Sequence, residues 1–201
     1  MEIKKAEFIT SAVNAGGYPQ DGLPHIAMVG KSNVGKSSLI NALTRQNKLA
    51  RVSGEPGKTR LVNFFLINES FYLVDLPGYG FARVSKVEKK SWGDMMNEYF
   101  RKAVSLNCII MIVDIRHNPT AEDKQMAEWI KYYQIPVILV ASKADKLGKT
   151  RIKPQVAQLR KLLGFSNQVP VIPSSVVSKQ GLELLMEQLD AYLPELDSPI
   201  I

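Results

Sequence analysis

The 201-residue sequence holds a single cysteine, Cys108, and two histidines, His25 and His117. One thiol can close no intramolecular disulfide and build no cysteine-based metal cluster, and two histidines this far apart make no histidine metal site. Cys108 lies in the apolar run Cys108 to Val113, where a free thiol behaves as a small buried hydrophobe. No stretch approaches the roughly 20 uninterrupted apolar residues that a membrane helix needs, so a soluble protein without a membrane role is expected. Met1 to Lys5 is followed by no apolar h-region or small-residue cleavage site, which reads as cytoplasmic. There is no internal repeat and no low-complexity tract, and no heptad pattern demands a dimer, so a monomer is expected.

What is present is an ordinary globular balance, 45% hydrophobic and 22% charged, with a formal net charge of +7. That surplus favours a polyanionic partner, RNA or an anionic membrane surface, although a merely solvated Lys/Arg surface gives the same count.

Short apolar runs alternate with longer helical patterns. The strand-like runs are His25–Gly30, Leu61–Ile67, Phe71–Leu76, Cys108–Ile115, Pro136–Ala141 and Val169–Pro173. Helices are expected near Ser37–Thr44, Ser91–Val104, Thr120–Tyr132, Ile152–Leu163 and Gln180–Tyr192, the third opening on Asn118-Pro119-Thr120 with Glu122 and Asp123 in its first turn. The alternation predicts an α/β fold of three layers, whose six-stranded, mostly parallel sheet carries helices on both faces. Leu61–Ile67 and Phe71–Leu76 are separated only by Asn68, Glu69 and Ser70, too few residues for a crossover, so they form a hairpin and one strand is antiparallel. Residues 1–22, with Gly16, Gly17, Pro19 and Gly22, read as an N-terminal extension able to add an edge element, and 23–201 as one domain.

The strongest local signal is Gly30, Lys31, Ser32, Asn33, Val34, Gly35, Lys36 and Ser37, which matches GxxxxGK[ST] between a strand and a helix. The glycines let the backbone curl until its N–H groups face phosphate oxygens, and the helix N-terminus adds its dipole. Lys36 then reaches the β- and γ-phosphates and Ser37 ligates Mg²⁺. At the end of the third strand, Asp75, Leu76, Pro77 and Gly78 place a carboxylate to hold Mg²⁺ through water and a Gly78 N–H to meet the γ-phosphate. Between them lies a loop in which Thr59 is placed to give a second Mg²⁺ ligand, with Ser53 as a rival farther from the strand.

The base is chosen by Ser142, Lys143, Ala144 and Asp145, directly after the fifth strand. Asp145 can accept from guanine N1–H and the 2-amino group together; adenine offers no such pair, so GTP and GDP are the expected ligands and an ATP-dependent kinase is not. The Lys143 stem can cover the base. Ser174, Ser175 and Val176 follow the sixth strand and are expected to bring backbone N–H groups to guanine O6.

Five motifs now carry a resemblance: GKSNVGKSSLIN from Gly30, PGKTRLVNFF from Pro56, DLPGYGFA from Asp75, SKAD from Ser142 and PSS from Pro173. Together, over roughly residues 20 to 195, they resemble the EngB (YihA/YsxC) family of bacterial GTPases, within the group that includes Era and TrmE. The resemblance extends the expected GTP contacts to Ser38 and to Gly57, Lys58, Arg60 and Leu61. It implies a role in assembling the large (50S) ribosomal subunit, through rRNA and ribosomal proteins, with effects on growth and septation. A GTP-dependent switch for a protein partner in division, without direct RNA binding, is the alternative. Arg45, Lys48, Arg51, Lys58 and Arg60 surround the first switch, and Arg83, Lys86, Lys89 and Lys90 follow DLPG, a distribution that suits docking on RNA. Tyr79 and Phe81 could serve either kind of partner.

The chain departs from the general G-domain pattern twice. Tyr79 follows DLPG and no water-orienting Gln is near, so intrinsic GTP hydrolysis is expected to be slow. Catalysis then rests on Lys36, the P-loop amides and Mg²⁺, aided by a partner or a second cation. Relatives with Asn at the position of Asn33, such as TrmE, use it to help bind K⁺, and the resemblance implies the same here. The second departure is Ser142, which keeps a hydroxyl where Asn or Thr is usual and lacks the Asn amide. Guanine affinity should therefore be modest; titration that gave a nanomolar dissociation constant for GDP would contradict this.

Overall fold

The computed structural model describes residues 1–50, 61–80 and 86–194, the side chains of 86–89 left aside. Its centre is β2 (His25–Gly30), buried at every position and parallel to both neighbours, β4 (Phe71–Asp75) and β5 (Leu106–Asp114). Beyond β5, β6 (Val137–Ser142) and β7 (Val171–Pro173) continue in parallel. Beyond β4 lies β3 (Val62–Ile67), antiparallel to it through the expected hairpin. The hairpin closes because Asn68 and Glu69 both take left-handed φ, 48° and 56°, and Ser70 N–H donates back to Ile67 O at 2.9 Å.

Among the described residues the sheet has seven strands rather than six, in the order β1-β3-β4-β2-β5-β6-β7. The strand beyond the six is β1 (Ala6–Ala12), an edge element from the N-terminal extension, which pairs antiparallel with β3 with a register shift between Phe8 and Thr10. Within it only Ala6 and Ala12 are buried, so no apolar alternation marks it in the sequence. It is a strand because β3 would otherwise present an open edge. One strand, β3, still runs against all the others.

Among the described residues five α-helices cover the sheet: α1 (Lys36–Leu43), α2 (Lys86–Lys102), α3 (Ala121–Tyr132), α4 (Lys149–Leu162) and α5 (Leu182–Asp190). Period-two alternation divides the core. Along β5, Cys108, Ile110 and Ile112 meet α1 and α5 through Leu39, Ile40, Leu185 and Leu189. The intervening Ile109, Met111 and Val113 meet α2, α3 and α4 through Met96, Tyr99, Met126, Ile130 and Leu159. Burial pushes the Cys108 thiol up to about 12, which keeps it protonated and inert. α3 opens with a capping box: Thr120 accepts from Asp123 N–H, and the Asp123 carboxylate accepts from Thr120 N–H. This layering brings the C-terminal ends of the five strands paired in parallel, β4, β2, β5, β6 and β7, to one edge, so Gly30, Asp75, Asp114, Ser142 and Ser174 lie along a common rim.

His25 stands at the opposite end of β2, 3% exposed, with Phe64 and Tyr72 rings at 5.4 and 5.5 Å and the Tyr99 hydroxyl 3.4 Å from Nδ1. Burial pushes its pKa from 6.5 down to about 4, against a weak opposing pull from Asp21. Above pH 6.5 the ring is neutral whether folded or not, and stability is fully present. As pH falls from 6.5 toward 4, the unfolded chain binds a proton that the folded chain refuses, removing up to about 3 kcal/mol. Urea unfolding near pH 7 and near pH 5 should show this loss in the wild type and a smaller one in His25→Gln. Equal losses in the two proteins would contradict the assignment.

Candidate nucleotide-binding site

After Gly30 the chain turns at Lys31–Val34, where Val34 N–H donates to Lys31 O at 3.1 Å, and enters α1. Asn33 adopts φ 63° and Gly35 φ 109°, the latter a conformation that only glycine holds without strain. Leu39 N–H is the first to fold back, onto Gly35 O at 2.9 Å. The N–H groups of Lys36, Ser37 and Ser38 thus have no intrahelical acceptor and face outward from a positive helix end, as an anion cradle requires.

The DLPG segment is laced to this loop. Lys31 and Tyr79 form a parallel bridge, Ser32 N–H donates to Tyr79 O at 2.8 Å, and Leu76 N–H donates to Met28 O at 3.2 Å. Gly78 lies so close that a Cβ there would stand 3.2 Å from Ser32 N, so any side chain would have to push the Ser32 backbone back by a few tenths of an ångström. Asp75, nearly buried, pairs with the Lys36 ammonium.

Tyr79 does not face the phosphate cradle. It is 3% exposed and its hydroxyl donates to Asp123 Oδ1 at 2.7 Å, the other oxygen of that carboxylate serving the α3 capping box. Burial, then Asp123, pushes the phenol pKa well up, so it stays a neutral donor. Trp92 Nε1 donates to Pro77 O at 3.0 Å and its ring stacks on Trp129 at 5.6 Å. The expectation that Tyr79 could meet a partner is thereby corrected: its ring is spent inside the protein. Sequence reasoning missed Asp123, Trp92 and Trp129 as supports, since nothing in their local spacing connects them to DLPG.

At the base end the two loops are joined directly. The Ser142 hydroxyl lies 2.9 Å from Val34 O and 3.1 Å from Val113 O, and can donate to either carbonyl. Lys143, at φ 61°, sends Nζ to Asn33 O at 3.0 Å and to Asp114 Oδ2 at 3.1 Å. Asp114, also missed, is gripped by Arg116, whose Nε and Nη2 donate at 2.9 and 2.7 Å. Burial alone would raise Asp114, but Arg116 and Lys143 outweigh it and hold the carboxyl well below the usual range. The available signal was an acid at a strand tip with an arginine two residues on.

Asp145 accepts from the Ser175 hydroxyl at 2.7 Å, which with Lys146 lowers its pKa against the opposing effect of desolvation, keeping an acceptor-only carboxylate at the rim. Ala144 N–H donates to Ser174 O at 3.0 Å. Ser174 N–H goes to Ala141 O at 2.8 Å and Ser175 N–H to Gln180 O at 3.1 Å. Two of the three amides expected at guanine O6 are therefore committed internally, and a donor from this loop falls to Val176 or beyond. Leu61 lies at the start of the hairpin. Gly57, Lys58, Thr59 and Arg60, like Arg51, Ser53, Phe81 and Arg83, lie outside the described residues.

The donors present suit Mg²⁺: one carboxylate, Asp75, beside a helix turn carrying the Ser37 hydroxyl is the oxygen set this ion takes together with phosphate oxygens and water.

Comparison with known proteins agrees with this geometry. The sequence pattern of a family described as "50S ribosome-binding GTPase" matches residues 25–143, and that of the "Elongation factor Tu GTP binding domain" matches 93–195. The "Probable GTP-binding protein EngB" of Clostridium kluyveri is 49% identical over 193 residues, covering 96% of this chain and 98% of that protein. Its namesake in Alkaliphilus metalliredigens is 47% identical over 200 residues, covering 100% and 96%. Among solved structures, a probable GTP-binding protein engB superposes with a TM-score of 0.70 at 22% identity, over 84% of this chain and 97% of that one. Era in complex with MgGDPNP and nucleotides 1506–1542 of 16S ribosomal RNA gives 0.66 at 25% identity, over 89% and 59%.

The Asp114 grip on Lys143 yields a test. Asp114→Asn should weaken GDP and GTP binding equally, by about tenfold, equivalent to ~1.4 kcal/mol, with kcat unchanged. Calorimetric titration and saturation kinetics read this directly, and unaltered affinities would show that the carboxylate does not support the base site.

Proposed function

The chain belongs to the EngB family of GTP-binding proteins and is a GTPase, and from that premise we propose that it acts as a nucleotide-controlled factor in assembly of the large ribosomal subunit. The observation that carries the reading is similarity to EngB proteins over nearly the whole chain, together with a matched family described by 50S ribosome binding. That Era, a fold neighbour, is seen with 16S ribosomal RNA is consistent with a G domain of this kind meeting RNA. In this reading the protein works in the cytoplasm, and growth and septation depend on it through the supply of ribosomes.

The residues divide the chemistry as follows. Asp145 accepts from the guanine edge, Ser175 and Lys146 keep it ionised, and Lys143 lies along the base. The Lys36, Ser37 and Ser38 amides receive phosphate oxygens, and the Lys36 ammonium neutralises charge that builds up as the γ-phosphoryl group is transferred to water. Ser37, with Thr59 from the first switch, would hold Mg²⁺ directly and Asp75 through water, and the ion would supply positive charge to the phosphates. Gly78 N–H reads the γ-phosphate. With the Tyr79 hydroxyl turned to Asp123, this position lends no donor to the attacking water, which supports slow intrinsic turnover. Asn33, exposed at the tip of the loop, is the candidate to help bind K⁺.

Sedimentation with large ribosomal particles tests the proposal: the GTP-bound protein should co-sediment more than the GDP-bound or empty protein, and less as salt rises. Binding indifferent to nucleotide would count against it. GTP turnover should be faster in KCl than in NaCl; equal rates would remove the K⁺ role.

A further inference from the structure

Helix α4 carries charge that nothing described so far uses. Between Lys149 and Lys161 it holds Lys149, Arg151, Lys153, Arg160 and Lys161 and no acidic residue. Its apolar residues Ile152, Val156 and Leu159 turn inward to the core shared with α2 and α3. Lys149, Arg151, Lys153 and Lys161 are exposed. Lys149, Lys153 and Arg160, spaced by four and seven residues, fall along one flank for about 16 Å of helix, with Lys161 facing outward and Arg151 on the other flank.

The charge at the start of α4 does not help the helix itself. There is no acid in the first turn and no side-chain cap at Gly148, so Lys149 and Arg151 sit unopposed at the positive end of the helix dipole. Lys149 and Lys153 repel at i,i+4. Among the described residues no carboxylate comes within ion-pair distance of any of the five. Arg160 and Lys161 complement the negative end of the dipole, but Lys149, Arg151 and Lys153 have no favourable local partner among the described residues, and their charge suits a polyanion outside the chain.

We infer that the exposed face of α4 is a docking surface for the phosphate backbone of RNA, separate from the switch segments. A membrane surface fits less well. The outward positions between the cations are Thr150, Pro154, Ala157 and Gln158, which offer no large apolar side chain to bury among lipids. Lysine and arginine interspersed with small and polar residues suit phosphates and sugar hydroxyls. Placement determines how the surface behaves: α4 packs near β7, at the far side of β2 from β4 and the γ-phosphate-reading DLPG segment. Its contact with RNA is therefore independent of nucleotide, a constant electrostatic hold beside the switched one. The inference deepens the ribosomal reading and rests on it for which RNA is meant, while its test does not.

The test uses the full chain with a short mixed-sequence RNA duplex, titrated over a range of salt with GTP or GDP present. The triple variant Lys149→Gln/Lys153→Gln/Lys161→Gln should bind about tenfold or more weakly near physiological salt, with a log K against log salt slope shallower by about 2 to 3. The loss should be the same in both nucleotide states, and GTP turnover, which these residues do not touch, should be unchanged and so report intact folding. An equal affinity and slope in variant and wild type, no RNA binding by the wild type, or stronger retention on phosphatidylserine vesicles than on RNA would each overturn the inference. Failure here with nucleotide-dependent ribosome sedimentation intact would leave the proposed function standing; RNA binding through α4 by a protein that ignores ribosomal particles would do the reverse.

Discussion

Two hydrogen bonds make the nucleotide site a single object: the Ser142 hydroxyl and the Lys143 ammonium both reach carbonyls of the phosphate loop, at Val34 and Asn33. A nucleotide is read at both ends, and discrimination at the base is useful only if the distance from Asp145 to the phosphate cradle is fixed. Strands supply the coarse placement, since β2 and β6 end on one rim with β5 between them. The two bonds supply the fine placement, because each fills a carbonyl that a tight loop leaves without a backbone partner. Serine suffices here because a hydroxyl within reach of both Val34 and Val113 carbonyls can join loop to sheet.

Much of this was legible in the sequence, for identifiable reasons. The phosphate loop, DLPG and SKAD are local patterns at strand ends, and their chemistry depends on backbone conformations that short motifs fix. The five helices and the hairpin followed from periodicity and from a gap too short for a crossover. What was not legible is what depends on distant partners. β1 is held by the edge of β3 and leaves no alternating signal, its burial confined to Ala6 and Ala12. Asp114 and Arg116 look like an ordinary strand end until Lys143 is brought beside them. The amides of Ser174 and Ser175 appear available in a tripeptide, yet Ala141 and Gln180 take them up.

Tyr79 shows the same dependence in the opposite direction. Read along the chain it is an aromatic residue on a loop, free for a partner. In the fold, Asp123 accepts its hydroxyl, and Trp92 and Trp129 close over the segment. The carboxylate that caps α3 therefore also anchors the residue after Gly78, and the Pro77 carbonyl is tied to α2 through the Trp92 indole. Any displacement of Gly78 must carry Pro77 with it and load that bond, so α2 is mechanically joined to the DLPG segment.

Charge is distributed by the same logic. At the rim each carboxylate is individually engaged: Asp75 by Lys36, Asp114 by Arg116 and Lys143, Asp145 by Ser175 and Lys146. Lys36 can turn fully to a phosphate only by leaving Asp75, and a nearly buried carboxylate stripped of its partner is destabilising by several kcal/mol. A hydrated divalent cation beside Asp75 would supply the positive charge that Lys36 withdraws, so that binding of a triphosphate and of the cation would both draw on this one ion pair. On α4, where no carboxylate stands by among the described residues, no such exchange is needed, and an incoming polyanion meets cations already unpaired.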